Sequence, residues 1–274
     1  MTDFVIARVV IACDAVGENR SGIELAATIA AAWNAALHGI FVQDEGLLNL
    51  AALPFARHVM ASGEVTTDMD ESAAVHQFAA HADRTRAVLE AAAREHAVAC
   101  SFAVVRGHLT LATLPMEERD LLVIEAESRP FAGSFRLDSR LLAASFEAHR
   151  PVLLVRDAER RRDGVVALVQ QVGASAARVI SAAAGIAQAG DYGLTILLAG
   201  ESVQGQAVLE IVRQVAPGLV AGLRVERISF DSRVFDEVAV GGGILVVDAD
   251  PTVNNTAALK ELAARTQANI LFLR

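Results

Sequence analysis

The sequence predicts an α/β fold made of two tandem, open, mostly parallel sheets of five strands each, with helices on both faces. The first observation is a strand–turn–helix–strand pattern at residues 8–42, where a short apolar run precedes turn residues and a stripe of apolar residues at helical spacing. The second observation is a related pattern at residues 164–198. The third is the alternation of strands and helices along each half, which is typical of parallel α/β sheets.

The internal repeat predicts the domain boundaries. At a constant separation of 156 residues without a gap, the two patterns align from their first strands to their second strands, where residues 40–42 match residues 196–198. The last strands, at 151–156 and 269–274, align at a separation of 118 residues. We therefore expect a first domain at 1–156 with an insertion after its second strand, a linker at 157–163, and a shortened second domain at 164–274.

The remaining elements of the first half follow from periodicity and turn residues. A short amphipathic segment at 47–55 and a polar loop at 60–71 follow the second strand. The later elements are a helix at 72–97, a strand at 101–106, a helix at 110–118, a strand at 121–125, a loop at 126–137, a helix at 138–148 and a strand at 152–155.

The second half shows the same alternation over fewer residues. Its expected strands lie at 165–169, 194–199, 223–229, 244–248 and 269–273. Its expected helices lie at 174–189, 202–216, 231–239 and 252–266, of which the segment at 231–239 has the weakest pattern.

Composition and charge exclude several classes of partner. An apolar fraction of 53% in 274 residues supplies enough material for two hydrophobic cores. The net charge of -9 argues against a nucleic-acid or anionic-membrane surface, since both require clustered cations. Lys260 is the only lysine, so the chain has no phosphate-binding loop of the GxxxxGK[ST] type.

The sequence also predicts a soluble, cytoplasmic protein. The most apolar window, residues 23–42, is interrupted by Glu24, Asn34 and His38, which disfavours a membrane span. No charged-then-apolar leader precedes the first strand, so we expect no secretory signal.

No pattern of residues indicates catalysis or a metal site. Cys13 and Cys100 lie in or beside predicted strands, where a buried small apolar side chain is favoured over a redox role. The histidines lack zinc-ligand spacing, and His76 and His81 are five residues apart, which separates their rings on a helix. The G-x-S-x-G motif is absent. We expect no catalytic residue, no metal and no enzyme activity.

Five segments of the first half, taken in order, resemble the universal stress protein family in its tandem-domain form. They are VVIACD, LHGIFVQDE, VVRG, DLLVI and PVLLV, at residues 9–14, 37–45, 104–107, 120–124 and 151–155. The resemblance implies a cytoplasmic, non-catalytic stress-response protein, and some members of the family bind ATP or AMP.

The phosphate-binding segment of the family is altered in this chain. Nucleotide-binding members carry G-x2-G-x9-G-[ST] after the fourth strand, because glycines let the backbone approach the phosphates. The three glycine positions fall on Glu125, Ser128 and Asp138, and the hydroxyl position falls on Ser139. A carboxylate beside a phosphate charge costs about 1 kcal/mol at 4 Å even in water. We therefore interpret this cleft as degenerate.

The adenine side is better preserved. By resemblance, Asp14 and Val42 match the positions that contact adenine, and Gly107 ends the third strand at the same edge. Asp14 has an alternative interpretation as the cap of the following helix. Ser139 can likewise open its helix, with Asp138 favoured at the positive end of the helix dipole.

The second half departs further from the family pattern. Gln170 replaces the aspartate, and Asp248 and Asp250 lead almost directly into the last helix, which leaves no room for a phosphate loop. The glycines at 241–243 precede the fourth strand, where a bend is favoured over an anion-binding nest.

Two functions from different classes remain. The first is a stress-response interaction protein with a degenerate nucleotide cleft and no cofactor. For it the resemblance implies an intrachain antiparallel pairing of the last strands, Val152–Val155 with Ile270–Leu273, which are apolar and would otherwise leave open edges. The second is a sensor that binds ATP, AMP or another small molecule in the first cleft. A hydrolase or transferase is disfavoured.

Overall fold

The computed structural model describes residues 5–13, 20–51, 57–59, 65–68, 71–108, 110–111, 114–125, 144–148, 150–156, 164–199, 203–228, 243–254, 256–266 and 268–274.

The strands of the structure agree closely with the sequence pattern. They are β1 (Arg8–Cys13), β2 (Ala36–Gln43), β3 (Arg57–Val59), β4 (Val65–Asp68), β5 (Cys100–Arg106), β6 (Asp120–Glu125), β7 (Val152–Val155), β8 (Val165–Val169), β9 (Leu194–Ala199), β10 (Arg224–Ile228), β11 (Ile244–Asp248) and β12 (Asn269–Leu273).

The helices alternate with these strands. They are α1 (Arg20–Ala32), α2 (Glu45–Ala51), α3 (Glu71–Glu95), α4 (Ala174–Gly190), α5 (Gly205–Val215) and α6 (Thr256–Arg265), with a 3-10 helix at Pro217–Gly222 and a helical turn at 144–147.

The ten strands of the two halves form one continuous sheet. Its order is β10-β9-β8-β11-β12-β7-β6-β1-β2-β5, and all neighbours are parallel except β12 and β7. The predicted antiparallel pairing is therefore confirmed, with Ile270 opposite Leu154 and Phe272 opposite Val152. The prediction of two separate sheets was wrong in number, because two buried apolar edge strands complete each other's main-chain hydrogen bonds.

Each face of the sheet carries its own apolar cluster. Side chains alternate between the faces, so Val9 and Ile11 join one cluster while Val10 and Ala12 join the other. Helices α1, α3, α4 and α5 cover the first face across both halves. Helix α6 and the turn at 144–147 cover the second face.

Packing contacts also cross between the halves on both faces. Helices α1 and α4 lie together, and a Cβ placed on Gly185 would lie 3.7 Å from the indole nitrogen of Trp33. On the other face, the rings of Phe146 and Phe272 meet edge to face with centroids 4.9 Å apart. The junction therefore combines main-chain pairing with apolar packing.

The register of the repeat differs from the gapless alignment. In the first half Val9 lies beside Leu37, and in the second half Val165 lies beside Leu194. Equivalent positions are therefore 156 residues apart in the first strands and 157 residues apart in the second strands. The left-handed residues after the two helices, Asn34 and Asp191, are also 157 residues apart.

Two segments of the first half differ from the expectation. The segment expected to be a polar loop contains β4, which pairs with β3 in an antiparallel hairpin. Adjacent β-branched residues in β4 favour an extended chain over a loop. The described residues at 110–118 are turns and bends, because Pro115 disrupts helical hydrogen bonding.

Several expectations lie outside the described residues. They are the linker at 157–163, the loop at 126–137, most of the helix at 138–148 and the weak helix at 231–239. Within the described residues, no helix is both long and apolar enough to cross a lipid bilayer.

Candidate functional site

The carboxyl ends of four adjacent strands meet at one edge of the first half. Strands β6, β1, β2 and β5 are consecutive neighbours in the sheet and run parallel. Their last residues are Glu125, Cys13, Gln43 and Arg106. This is the edge at which open α/β sheets place their ligands.

Val42 and Gly107 lie on neighbouring strands at this edge, where Val42 is opposite Val105 and Gly107 directly follows Arg106. The amide of Gly107 donates a hydrogen bond to the carbonyl of Gln43 at 3.0 Å, which continues the β2–β5 ladder by one residue. Val42 as a whole is 2% exposed and belongs to the apolar cluster of one face. Its side chain therefore serves the core, and the residue offers little surface to a ligand.

Gly107 leaves open space at the end of β5. Its φ of 144° lies in a region that favours glycine. Among the residues that the structure describes, no heavy atom lies within 4 Å of a Cβ placed at this position. The glycine is therefore required by its backbone conformation and not by a close neighbour among these residues.

The carboxylate of Glu125 lies against the first turn of α1. A Cβ added to Gly22 would overlap one oxygen of this carboxylate and would lie 3.2 Å from its carboxyl carbon. Gly22 is the third residue of the helix, where backbone N–H groups have no partner within the helix. A negative group is favourable there because it faces the positive end of the helix dipole. Glu125 is thus an internal anion at a helix start.

Four of the seven predicted site residues lie outside the described residues. They are Asp14, Ser128, Asp138 and Ser139. Their assignments to the adenine and phosphate sides stay predictions, as do the capping roles of Asp14 and Ser139.

Asp44 and His108 form a further polar group at this edge that the sequence argument did not single out. One carboxylate oxygen of Asp44 accepts hydrogen bonds from the amides of Gly46 at 2.6 Å and Leu47 at 3.1 Å, which caps α2. The other oxygen lies 3.7 Å from Nδ1 of His108. An aspartate directly before a helical pattern is the signal that predicts such a cap.

The corresponding edge of the second half is closed by its own side chains. The Gln170 amide, at the end of β8, donates to Oδ1 of Asn254 at 2.8 Å and accepts from the amide nitrogen of Asn254. That same nitrogen also donates to the Asp248 carbonyl at 2.6 Å. These reciprocal bonds use the groups with which Gln170 could otherwise bind a ligand.

An ion pair completes this network. Nη2 of Arg178, on α4, donates to Oδ2 of Asp248 at 2.6 Å, and the Asp250 amide donates to Oδ1 at 2.9 Å. Asp248 is 1% exposed, and both of its carboxylate oxygens accept hydrogen bonds from within the protein, as buried polar groups usually do. Hydrogen bonds from Thr252 lower the pKa of Asp250, which keeps it negative beside the pair.

Glu125 and Asp248 occupy equivalent places in the two halves. Glu125 lies beside Val155 in the sheet, and Asp248 lies beside Leu273. Val155 and Leu273 are aligned positions of the last strands, 118 residues apart. Each half therefore ends its fourth strand with a carboxylate directed at the first helix of that half.

The opposite, amino edge contains charged groups with structural roles. Asp120 is fully buried and receives two hydrogen bonds from the Arg8 guanidinium, at 3.0 Å and 2.6 Å. Burial lowers the pKa of His38 and the Arg8 charge lowers it further, while Ser101 hydrogen-bonds to Nδ1 at 2.7 Å. Among the described residues, no three histidine, cysteine, aspartate or glutamate side chains are placed to hold a metal ion.

A cleft of about 310 Å³ lies at the amino edge of the second half. Its lining is mainly apolar side chains and bare glycine backbone, with Arg224 as its charged member. None of the predicted site residues lines it.

Solved structures share this fold over nearly the whole chain. A protein from Pseudomonas aeruginosa UCBPP-PA14 described as a universal stress protein matches with a TM-score of 0.58 and 16% identity, over 98% of this chain and 94% of that chain. A universal stress protein from Archaeoglobus fulgidus DSM 4304 matches with a TM-score of 0.56 and 11% identity, over 99% and 97% of the two chains.

The same fold occurs in another molecular setting. The cytoplasmic domain of a prokaryotic cation chloride cotransporter matches with a TM-score of 0.55 and 11% identity, over 97% of this chain and 95% of that chain. No family model and no curated protein sequence matches the chain. These identities are low, so the similarity establishes the fold and leaves function to the residues of the site.

Proposed function

We propose that this chain is a tandem universal stress protein that acts without catalysis, as a cytoplasmic stress-response interaction protein. Support comes from the fold shared over the whole chain and from the ordered segments that resemble the family. The strand order of residues 1–156 also recurs in residues 164–274, which favours two domains of common plan.

The observation that carries this proposal is the position of Glu125. Its carboxylate lies against Gly22 at the start of α1, where the helix would otherwise receive the charge of a phosphate. A nucleotide phosphate would have to displace this carboxylate or accept its repulsion. The first cleft is therefore degenerate toward nucleotides.

The second half supports the same conclusion by a different arrangement. At its carboxyl edge, Arg178 forms an ion pair with Asp248, and the side-chain amides of Gln170 and Asn254 hydrogen-bond to each other. A ligand would gain little from the Gln170 and Asn254 side-chain amides or the Asp248 carboxylate, because hydrogen bonds to these groups would replace ones already made. The second domain serves to complete the long sheet and its apolar faces.

The alternative function is a small-molecule sensor that uses the first cleft. The space that the described residues leave beside Gly107 favours it. ATP and AMP are the first ligands to consider, because Asp14 and Val42 match adenine-contacting positions of the family. Mg²⁺ bridging Glu125 and Asp138 to the phosphates would offset their negative charge.

Isothermal titration calorimetry with ATP and AMP, each with and without Mg²⁺, separates the two functions. We expect no binding heat for the natural protein and measurable affinity for Glu125→Gly/Asp138→Gly. The variant Glu125→Gln/Asp138→Asn removes the charges but keeps the side chains, and so separates repulsion from lost backbone access. Glu117→Gln/Glu118→Gln, at the amino edge, is the control for net charge.

Each outcome of the titration has a defined meaning. Binding by the natural protein supports the sensor and contradicts a degenerate cleft. Failure of both the glycine and the amide variants to gain affinity shows that the phosphate loop was wrongly assigned. ATP hydrolysis above a protein-free control would contradict a non-catalytic role.

A further inference from the structure

The ten-stranded sheet has two outer strands of different character. Strand β10 has five residues, of which three are charged, and charged side chains discourage edge pairing. Strand β5 has seven residues and a single charge, Arg106, at its end. It contains no proline, and its register with β2 is continuous over all seven residues. Within its own seven described residues, β5 therefore lacks the proline, bulge and central charges that protect an edge from further pairing.

The outward main-chain groups of β5 can be identified from its bonds to β2. Leu37 donates to the carbonyl of Ala99, and Gly107 donates to the carbonyl of Gln43. In a parallel ladder alternate residues bond to the same neighbour, so odd-numbered residues of β5 bond to β2. The N–H and C=O groups of Cys100, Phe102, Val104 and Arg106 consequently point away from the sheet.

We propose that β5 is the docking edge for a second copy of this chain, which adds its own β5 in the antiparallel direction about a two-fold axis at Ala103. In this register all seven residues of each strand are paired. Phe102 lies opposite Val104 of the second copy, and Cys100 lies opposite Arg106 of the second copy. These even-numbered positions are the ones whose main-chain groups are directed outward, so they form hydrogen-bonded pairs.

Exposure along β5 agrees with this use of the edge. Val104 is 42% exposed, which is unusual for a valine in a strand. Two residues before it, the Phe102 ring lies 5.0 Å from the guanidinium carbon of Arg86. Phe102 and Val104 share one face of the sheet, because side chains alternate. An aromatic and a β-branched side chain opposite each other form a favourable cross-strand pair.

Charge placement favours a second copy over another extended segment. Burial raises the pKa of the Cys100 thiol, and the negative charge of Glu90 raises it further, so Glu90 lies near the first residue of β5. Neither Glu90 nor Arg106 has an ion-pair partner among the described residues. In the self-paired dimer, Arg106 of each copy lies opposite Cys100 of the other copy. Its positive charge is then close to the negative charge of that copy's Glu90.

The two-fold axis makes this contact occur twice. An isologous interface repeats every pair, so two Arg106–Glu90 contacts flank the strand pair. A foreign strand would supply the main-chain hydrogen bonds but would have no reason to carry a cation at this position. The chain therefore joins copies as it joins its own halves, by antiparallel pairing of outer strands.

The first experiment is sedimentation velocity on the full chain over a range of concentrations. We expect a reversible dimer. Glu90→Arg and Arg106→Glu each convert two attractive contacts into repulsive ones, so each raises the dissociation constant by at least about tenfold. The combined variant Glu90→Arg/Arg106→Glu restores dimerisation. Glu226→Arg, on β10, leaves it unchanged.

Cross-linking tests the register. In the background Cys100→Ser, the variant Ala103→Cys places two thiols on the two-fold axis in a non-hydrogen-bonded pair, with Cα atoms about 4.5 Å apart, which a disulfide can span. Oxidation should give a covalent dimer. Ser101→Cys in the same background lies opposite Val105 of the second copy and should not cross-link.

A monomer at every concentration overturns the proposal. A dimer whose strength responds to neither single charge reversal also overturns it, as does a dimer that Ala103→Cys fails to link. Circular dichroism of each variant shows whether it has folded, and recovery in the double charge reversal excludes misfolding as the cause of dissociation.

Discussion

At the scale of single residues, the two equivalent carboxylates are stabilised in different ways. Glu125 lies against a glycine at a helix start, whereas Asp248 is held by the Arg178 guanidinium and an amide. The same strand position thus gives a helix-dipole contact in one half and a nearly buried ion pair in the other. The buried Asp248 carboxylate depends on the Arg178 guanidinium of α4, because a buried charge without a counter-charge is costly.

Replacement of Arg178 by methionine tests this dependence. Asp248 would keep its bond from the Asp250 amide but would lose its counter-charge, so we expect a loss of about 3 kcal/mol in the free energy of unfolding. Chemical denaturation monitored by circular dichroism measures it. Arg213→Met is the control, because Arg213 pairs with Glu210 on the exposed surface and should change stability by less than about 1 kcal/mol. Equal losses in both variants would contradict the role of the ion pair.

His38 makes stability depend on pH. Burial lowers the pKa of His38 in the folded chain, and Arg8 lowers it further, while Asp120 and Ser101 oppose this shift. In the unfolded chain the pKa of His38 is about 6.5, so as the pH falls the unfolded state binds the proton before the folded state does. The folded state therefore loses stability as the pH decreases from about 6.5 toward the folded pKa.

The variant His38→Gln should lose less stability than the natural protein between about pH 7 and pH 5. Urea denaturation at several pH values gives the comparison. His76→Gln, which removes an exposed histidine on α3, should keep the pH dependence of the natural protein. A His38→Gln variant with unchanged pH dependence would show that this histidine is not coupled to folding.

At the scale of elements, the start of α1 explains why Gly22 lies inside a helix. Glycine in a helix costs about 1 kcal/mol relative to alanine, so another requirement must favour it. The Glu125 carboxylate occupies the space that a Cβ would take. The glycine and the carboxylate are therefore a coupled pair, and they determine how the cleft presents its helix terminus.

A double-mutant cycle measures this coupling. Gly22→Ala should be less favourable beside Glu125 than in the Glu125→Ala background by up to about 1 kcal/mol, because the methyl group displaces the carboxylate from the helix start. Denaturant unfolding of the four proteins supplies the values. Gly185→Ala, which meets only ordinary contacts at 3.7 Å, should stabilise the protein in both backgrounds. Strict additivity at Gly22 would show that the two residues do not interact.

At the scale of the whole molecule, one sheet and two shared apolar faces join the halves. The β7–β12 ladder, the α1–α4 contact and the Phe146–Phe272 contact all cross the junction. One apolar cluster contains residues from both halves on each face of the sheet. Such continuity favours cooperative unfolding of the halves as one unit.

Trp33, the only tryptophan, lies in the first half beside α4 of the second half, so its fluorescence reports on the first half and on the junction. Ile196→Ala, in β9 of the second half and away from the junction, removes a fully buried side chain and should cost about 2–5 kcal/mol. If the halves unfold together, this change shifts the Trp33 fluorescence transition as far as the circular dichroism transition. A fluorescence transition that stays in place while circular dichroism shifts would reveal independent halves.

The sequence by itself determined the ten strands of the large sheet and most helices, because apolar runs, turn residues and an internal repeat are local or self-referring signals. The antiparallel junction followed from the family resemblance together with the apolar character of the two last strands. The sequence also located Val42, Gly107 and Glu125 at one edge. Only the tertiary structure decided that the strands form one sheet, that Glu125 lies on Gly22, and that Arg178 and Asn254 close the second edge. These contacts join residues far apart in the chain, and their distances depend on packing that no local pattern encodes.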